Sequence, residues 1–242
     1  MSSEEPLILA VDTATACSTV ALTTGDVHGG SMLASISLNS KITHSRRLLT
    51  AIEWVLQESD VALADIDGFA VGLGPGSFTG LRIGMATMKG LAVALDKPLL
   101  GVSTLDGLAL NCSGELPLCV LLDARKKEVY RAWYAKDSDG IYRATSSIQA
   151  LTPTVMAQEI TSPCLLVGDG IIPYGSFLQE KTEEQLFIAP LPQHYPNAVS
   201  LAFLCCEKFK NNETLDVESA VPLYVRASDA ELSLKQKNKV SQ

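Results

Sequence analysis

Val71-Gly-Leu-Gly-Pro-Gly-Ser-Phe-Thr-Gly80 constrains this chain more than any other stretch. The apolar run Ile66–Val71 leads into it as a strand. A helical pattern from about Ser77 to Leu95 leads out, ending before Asp96-Lys-Pro98. Glycines at such a junction let the backbone come close to a ligand, and a helix N-terminus favours an anion. Gly74, Gly76 and Ser77 are therefore candidates for a phosphate-holding loop. The string is neither a Walker A loop, which needs Gly-Lys-Ser/Thr, nor a Rossmann Gly-x-Gly-x-x-Gly. A purely structural turn competes with the binding reading.

The helix that follows carries two ladders of small residues, Gly76, Gly80 and Gly84 on one side and Ala86, Gly90 and Ala94 on the other. Glycine in a helix costs about 1 kcal/mol against alanine, so something is expected to approach this backbone closely. One side can pack on the chain's own sheet, and the other invites a second helix from this chain or another.

Upstream, Leu7–Val11 and Ser18–Leu22 read as a strand and its antiparallel return, joined by the turn Asp12-Thr-Ala-Thr15, with a third strand at Ala34–Leu38. Asp12, Thr13 and Thr15 can offer a carboxylate and hydroxyls to a phosphate or a metal-bound water. The same residues are ordinary turn formers. A helix is expected from about Thr43 to Ser59, with Leu48, Ile52 and Val55 on its apolar stripe. Trp54 falls off that stripe and reads either as a rim residue or as a partner anchor.

Leu99–Val102 and a helix through Leu110 close the first half. The second opens with a hairpin, Leu118–Asp123 and Glu128–Tyr134, around Ala124-Arg-Lys-Lys127. Cys164–Gly170 is a strand entering a glycine turn, and Ala198–Phe209 a helix. Both halves begin with a strand, an Asp-containing turn and a return strand, which suggests a duplicated fold.

Composition excludes several classes. Hydrophobic residues at 47% and charged ones at 19% suit a folded globular protein. A net charge of −8 disfavours tight binding of an RNA backbone by this chain alone. No secretory signal and no apolar run of membrane-spanning length is visible, so a cytoplasmic protein is expected. The six cysteines lack a C-x-x-C pair and read as reduced, core-packing thiols. His28, His44 and His194 form no zinc spacing, and no Gly-x-Ser-x-Gly elbow occurs. No catalytic residue and no metal ligand is assigned. Asp12 and Asp123 are the loose carboxylates that remain, and His44, just before a helix, reads as a cap or surface residue.

Leu9-Ala-Val-Asp-Thr-Ala-Thr15, His44-Ser-Arg-Arg-Leu-Leu49, the Val71–Gly84 string, Lys89-Gly-Leu-Ala92 and Gly101-Val-Ser-Thr104 together resemble the bacterial TsaB (YeaZ) family. Asp123-Ala-Arg125, Gly168-Asp-Gly170 and Pro222-Leu-Tyr-Val-Arg226 extend the resemblance more thinly through the second half. It implies an α/β fold of two related units of the actin/Hsp70/sugar-kinase-like (ASKHA) kind. On this chain they are expected at 1–103 and 104–226, the second smaller. The 198–210 helix is free to pack back on the first, and 227–242 forms a polar, disordered tail.

The resemblance also implies a non-catalytic partner of the TsaD enzyme, which transfers threonylcarbamoyl to adenosine 37 of certain tRNAs. TsaE, an ATPase, joins the pair. A second copy of the chain is another implied partner, tRNA is reached only through the complex, and no membrane is involved. In TsaD an H-x-x-x-H metal pair stands where this chain has Thr104 and Leu108, and leucine cannot coordinate a metal. No cofactor is therefore expected, and Asp12 with the Gly72–Gly80 loop would suffice only for weak ATP or ADP binding. The helices at Thr43–Ser59 and Ser77–Leu95 are the implied association surface, with Arg47, Trp54, Gly80, Gly84, Met88 and Leu91 as contacts. Competing readings are an ATPase or nucleotide-binding module, or a metalloprotease-like enzyme, of the same fold.

Overall fold

Apolar strands with no polar face need cover on both sides, and the fold is organised around that need. The computed structural model describes residues 5–39, 43–183 and 185–226; the expected tail at 227–242 lies outside them. β1 (Leu7–Asp12), β2 (Cys17–Thr24), β3 (Ser31–Asn39), β4 (Gly68–Gly72) and β5 (Leu99–Val102) form one sheet in the order β3-β2-β1-β4-β5. β1, β2 and β3 run antiparallel in turn, while β4 and β5 lie parallel to β1.

The second sheet comprises β6 (Leu118–Arg125), β7 (Glu128–Lys136), β8 (Tyr142–Ala144), β10 (Cys164–Val167) and β11 (Leu186–Ile188), in the order β11-β10-β6-β7-β8. β9 (Gln149–Leu151) pairs beside β7. Written from its own first strand, this sheet repeats the order and directions of the first, with β6 antiparallel to β7 and parallel to β10. The architecture is thus the expected α/β one on two mixed sheets.

Helices cover each sheet on both faces. Alternate residues along a strand point to opposite sides, so Leu9 and Val11 meet α1 (His44–Glu58) and α2 (Phe78–Leu95), while Ile8 and Ala10 meet α6 (Ala198–Lys210). α6 comes from the far end of the chain but packs on the first sheet through Ala198, Leu201, Ala202, Cys205 and Cys206. These small side chains let it lie close, and the Ala198 N–H donates to Thr19 Oγ1 on β2 at 3.2 Å.

On β6, Leu118, Val120 and Leu122 face α3 (Thr104–Leu110), whereas Cys119 and Leu121 face α4 (Pro153–Glu159) and α5 (Ile171–Lys181). Five of the six cysteines are buried and none is bonded to another. Among the described residues no helix is long and apolar enough to cross a membrane.

A strap of residues 213–226 then ties the two sheets together. The Leu215 N–H donates to the Leu99 carbonyl at 2.8 Å and the Leu223 N–H to the Leu73 carbonyl at 2.8 Å. Val225 packs into the second core, and the Arg226 guanidinium pairs with Glu128 at 2.6 Å.

Met88, expected at a partner surface, is fully buried between the first sheet and its helices. Met88→Ala should therefore destabilise the isolated chain by about 2–5 kcal/mol, as for a large-to-small change in a packed core. Urea unfolding with an unchanged m-value is the check, and a loss well under 1 kcal/mol would contradict this placement.

Candidate functional site

The cleft between the sheets encloses about 540 Å³ and is walled by the β1–β2 turn, the start of α2, the β6–β7 hairpin and the strap. Its polar lining includes Thr15, His44, Ser77, Asp123, Asp169 and Arg226. Of the phosphate-loop candidates, Thr15, Gly76, Ser77 and Asp123 line this space. Asp12, Thr13 and Gly74 do not.

Asp12 closes β1 but turns inward. Its carboxylate accepts the Ala14 N–H at 2.7 Å and the Thr104 hydroxyl at 2.7 Å, and the residue is 1% exposed. Burial pushes its pKa up to about 6, against the two hydrogen bonds, which pull it down. Thr13 is equally buried, and its hydroxyl donates to the Gly80 carbonyl at 2.7 Å. Gly74 holds φ +95°, a conformation open to glycine, and its carbonyl accepts from the Thr104 N–H at 2.9 Å.

The start of α2 spends its polar groups on the chain itself. The Ser77 hydroxyl caps the helix by accepting the Gly80 N–H at 3.2 Å, and the Ser77 N–H donates to the Ala14 carbonyl at 2.6 Å. The Gly76–Gly80–Gly84 ladder exists for this approach. A side-chain carbon at Gly76 would lie 2.2 Å from the Ala14 carbonyl oxygen, one at Gly80 2.1 Å from that of Thr13, and one at Gly84 2.4 Å from Thr13 Oγ1.

This corrects the expected association surface, because Gly80 and Gly84 face the chain's own turn. Arg47 is interior too. Its Nε donates to Ser18 Oγ at 2.9 Å and its Nη2 to the Ala16 carbonyl at 2.8 Å, so the guanidinium is satisfied inside the fold. Leu91 is half-buried, and Trp54 is 40% exposed. Outward, α1 and α2 present Leu49 at 61%, Val93 at 67% and the second ladder, Ala86, Gly90 and Ala94, together with the charged Arg46, Glu53, Glu58 and Arg82.

His44, read from sequence as a cap or surface residue, lines the cleft and is half-buried. Its Nδ1 is hydrogen-bonded to the Ser18 hydroxyl. Burial, then the Arg47 charge, lowers its pKa, which favours the neutral imidazole. Ser18 is enclosed, so the pair braces the turn and does not present a nucleophile to the cleft.

Across the cleft, Asp123 accepts the Arg125 N–H at 2.8 Å and pairs with its guanidinium at 3.2 Å. The Asp123 N–H donates to Asp169 Oδ1 at 2.9 Å, and burial raises the Asp169 pKa. Arg125, Lys126 and Lys127 all hold positive φ, at 61°, 52° and 63°. Left-handed backbone costs roughly 1–2 kcal/mol per non-glycine residue, and no glycine relieves this turn. Sequence reasoning missed Asp169, Arg226 and Tyr224 as cleft residues, although Gly168-Asp-Gly170 and Pro222–Arg226 had both stood out as motifs. Thr104 and Leu108 are buried, with Leu108 in the second core. Among the described residues no group of three His, Cys, Asp or Glu side chains is placed to hold a metal ion.

A family model described as TsaD: tRNA N6-adenosine threonylcarbamoyltransferase matches residues 32–233. The tRNA threonylcarbamoyladenosine biosynthesis protein TsaB of Escherichia coli (strain K12) is 33% identical over 225 residues, covering 90% of this chain and 94% of that one. Its counterpart in Bacillus subtilis (strain 168) is 31% identical over 227 residues, covering 93% and 96%. Among solved structures, YeaZ from Pseudomonas aeruginosa superimposes with a TM-score of 0.72 at 31% identity, covering 90% of this chain and 99% of that one.

Two outcomes follow from the sealed interior. A carboxyl whose pKa is higher folded than unfolded, about 6 against 3.8, leaves its full stabilisation below the unfolded value. That stabilisation is lost as pH rises through the folded value. Between about pH 4 and pH 7 the wild type should lose on the order of 3 kcal/mol relative to Asp12→Asn. A difference that stays flat across urea titrations at several pH values would contradict the burial of this group. Gly84→Leu should leave no folded chain by circular dichroism, since the new side chain would enter the space held by Thr13.

Proposed function

The chain belongs to the TsaB (YeaZ) family, and we propose that it serves as a non-catalytic partner of a TsaD-type threonylcarbamoyltransferase. In this reading it acts in forming N6-threonylcarbamoyladenosine at tRNA position 37, in the cytoplasm where its tRNA substrate resides. A TsaE-type ATPase joins through the complex, tRNA is modified by the partner, and a second copy of this chain can occupy the same surface.

One observation carries the non-catalytic reading. Where the resemblance to TsaD calls for a metal-binding histidine pair, the chain has Thr104, whose hydroxyl is bonded to buried Asp12, and Leu108, which fills the second core. Apolar packing has taken the place of a coordination site there, and leucine offers no ligand atom. The candidate phosphate loop supports the same reading, because the Ser77 N–H and hydroxyl are committed to Ala14 and Gly80. A phosphate entering the cleft would have to displace those bonds. No cofactor is assigned.

The outer surface of α1 and α2 supports the partner reading. Leu49 and Trp54 on α1 and Val93 on α2 expose apolar area, and at Gly90, one turn before Val93, an added side-chain carbon would meet nothing within 4 Å. Small residues flanked by large apolar ones let another helix come close.

Reconstituted transfer with a TsaD-type enzyme, a TsaE-type ATPase and the threonylcarbamoyl-adenylate donor tests both parts. Modification should require this chain, while the chain alone turns over neither ATP nor donor. Gly90→Glu should weaken pairing tenfold or more by gel filtration and calorimetry, with a melting temperature unchanged or raised because glycine leaves the helix. Modification that proceeds fully without the chain, or ATP hydrolysis by the chain alone, would defeat the proposal.

A further inference from the structure

The rim of the cleft combines a partly open aromatic pair with a cluster of cations. Phe78 at the start of α2 and Tyr224 on the strap lie with ring centroids 5.1 Å apart, and both stay open to solvent, at 37% and 40%. The Arg82 guanidinium sits 3.9 Å from the Phe78 ring centroid and donates to the Tyr224 hydroxyl at 3.1 Å. Aromatic rings held open by a cation on one face present a π-surface on which a base can stack.

Arg125 and Lys126 of the β6–β7 turn line the same cleft as this platform, and with Lys127 beside them they occupy consecutive left-handed positions. Asn or Gly would adopt that backbone with less strain, so keeping three cations at the tip points to a use for their charge. Asp123 and Glu128 are paired with Arg125 and Arg226, and Asp169, also on the cleft wall, accepts the Asp123 N–H. Among the described residues the rim thus gathers five cations, Arg82, Arg125, Lys126, Lys127 and Arg226, against three carboxylates, Asp123, Glu128 and Asp169, on a chain of net charge −8. At physiological salt, charges more than about 8 Å away are largely screened, so the acidic remainder does not cancel it at contact range.

We infer that this rim is a contact site for a single-stranded RNA segment, with Phe78 and Tyr224 stacking a base and the Arg125–Lys127 turn meeting its phosphates. The inference deepens the proposed function, on which it rests for the presence of tRNA. It assigns this chain a direct share in holding the substrate of the complex. An RNA fits better than an acidic peptide, because an acidic peptide would use the cations and leave the open ring pair without a role.

The test uses the full chain in complex with a TsaD-type transferase and unmodified tRNA as probe. Fluorescence anisotropy across a salt series reads affinity, and ultraviolet crosslinking with mass spectrometry reads which chain is touched. Lys126→Glu combined with Lys127→Glu should weaken tRNA binding tenfold or more at low salt and make the log–log salt dependence shallower by about two. Crosslinks should map to peptides containing Phe78 or Tyr224 and be lost in Phe78→Leu, with circular dichroism confirming that each variant is folded. Unchanged affinity and slope, with crosslinks confined to the transferase, would overturn the inference. So would release of the TsaE-type ATPase by the charge reversal with tRNA binding intact, which would mark the rim as a protein contact. If the chain proves dispensable for modification yet still crosslinks at Tyr224, the partner proposal fails and the RNA contact stands.

Discussion

The cleft depends on how closely the Asp12–Ala16 turn lies against the first two turns of α2. Two hydrogen bonds fix that approach, Thr13 hydroxyl to the Gly80 carbonyl and Ser77 N–H to the Ala14 carbonyl. Neither forms unless the facing surface is bare backbone, which is why Gly76 precedes the Ser77 cap and why Gly80 and Gly84 follow inside α2 despite about 1 kcal/mol of lost helix propensity at each of those two. Beneath the turn, the Asp12 carboxylate joins β1 to the start of α3 through Thr104. The first sheet, its helix and the entry to the second half are thereby locked to one another. A loop that in outline resembles an anion cradle has been closed on itself.

Much of the fold was legible because its signals are local. Leu7–Val11, Ser18–Leu22, Ile66–Val71 and the Leu118–Tyr134 hairpin are long apolar runs, and their strands lie where the runs do. Short elements were not legible. β8, β9 and β11 are three residues each and α4 is seven, too short for a period of two or 3.6 to register. The site was harder, because burial there is decided by partners far along the chain. Nothing near Gly80 announces that Thr13, 67 residues earlier, will claim its side of the helix. Nothing near Arg47 announces that Ser18 and Ala16 will satisfy its guanidinium and let it sink into the interior. Small-residue ladders at opposite sides of one helix look alike from sequence. The one bearing glycines at every fourth position met the chain's own turn, and the other stayed open.

The strap explains why the two sheets hold a defined cleft. Leu215 is tied to β5 by a backbone hydrogen bond, Val225 packs in the core of the second sheet, and Arg226 pairs with Glu128 at the foot of the hairpin. α6 adds a second crossing, since it follows the second sheet in sequence but buries its small face on the first. Two separate returns of the C-terminal third to the first half make the arrangement one body, with Leu223 to Arg226 forming part of the cleft wall.

Charge and surface character divide along the same geometry. Asp12, Thr13 and Ser77 spend their side chains inside the fold, on the Ala14 N–H and Thr104, on the Gly80 carbonyl and on the Gly80 N–H, and Asp12 is sealed from solvent. The outer faces of α1 and α2 set exposed apolar side chains, Leu49, Trp54 and Val93, among the exposed charges Arg46, Glu53 and Glu58, the mixed chemistry of a surface that another chain can cover. Cations instead gather on the hairpin tip at the cleft mouth, held there against an unfavourable backbone conformation. A protein that only propped up a partner would have no reason to bear that strain, because a glycine turn would close the same hairpin at lower cost. The placement makes physical sense if the mouth of the cleft meets an anion that arrives from outside, while the interior behind it stays shut.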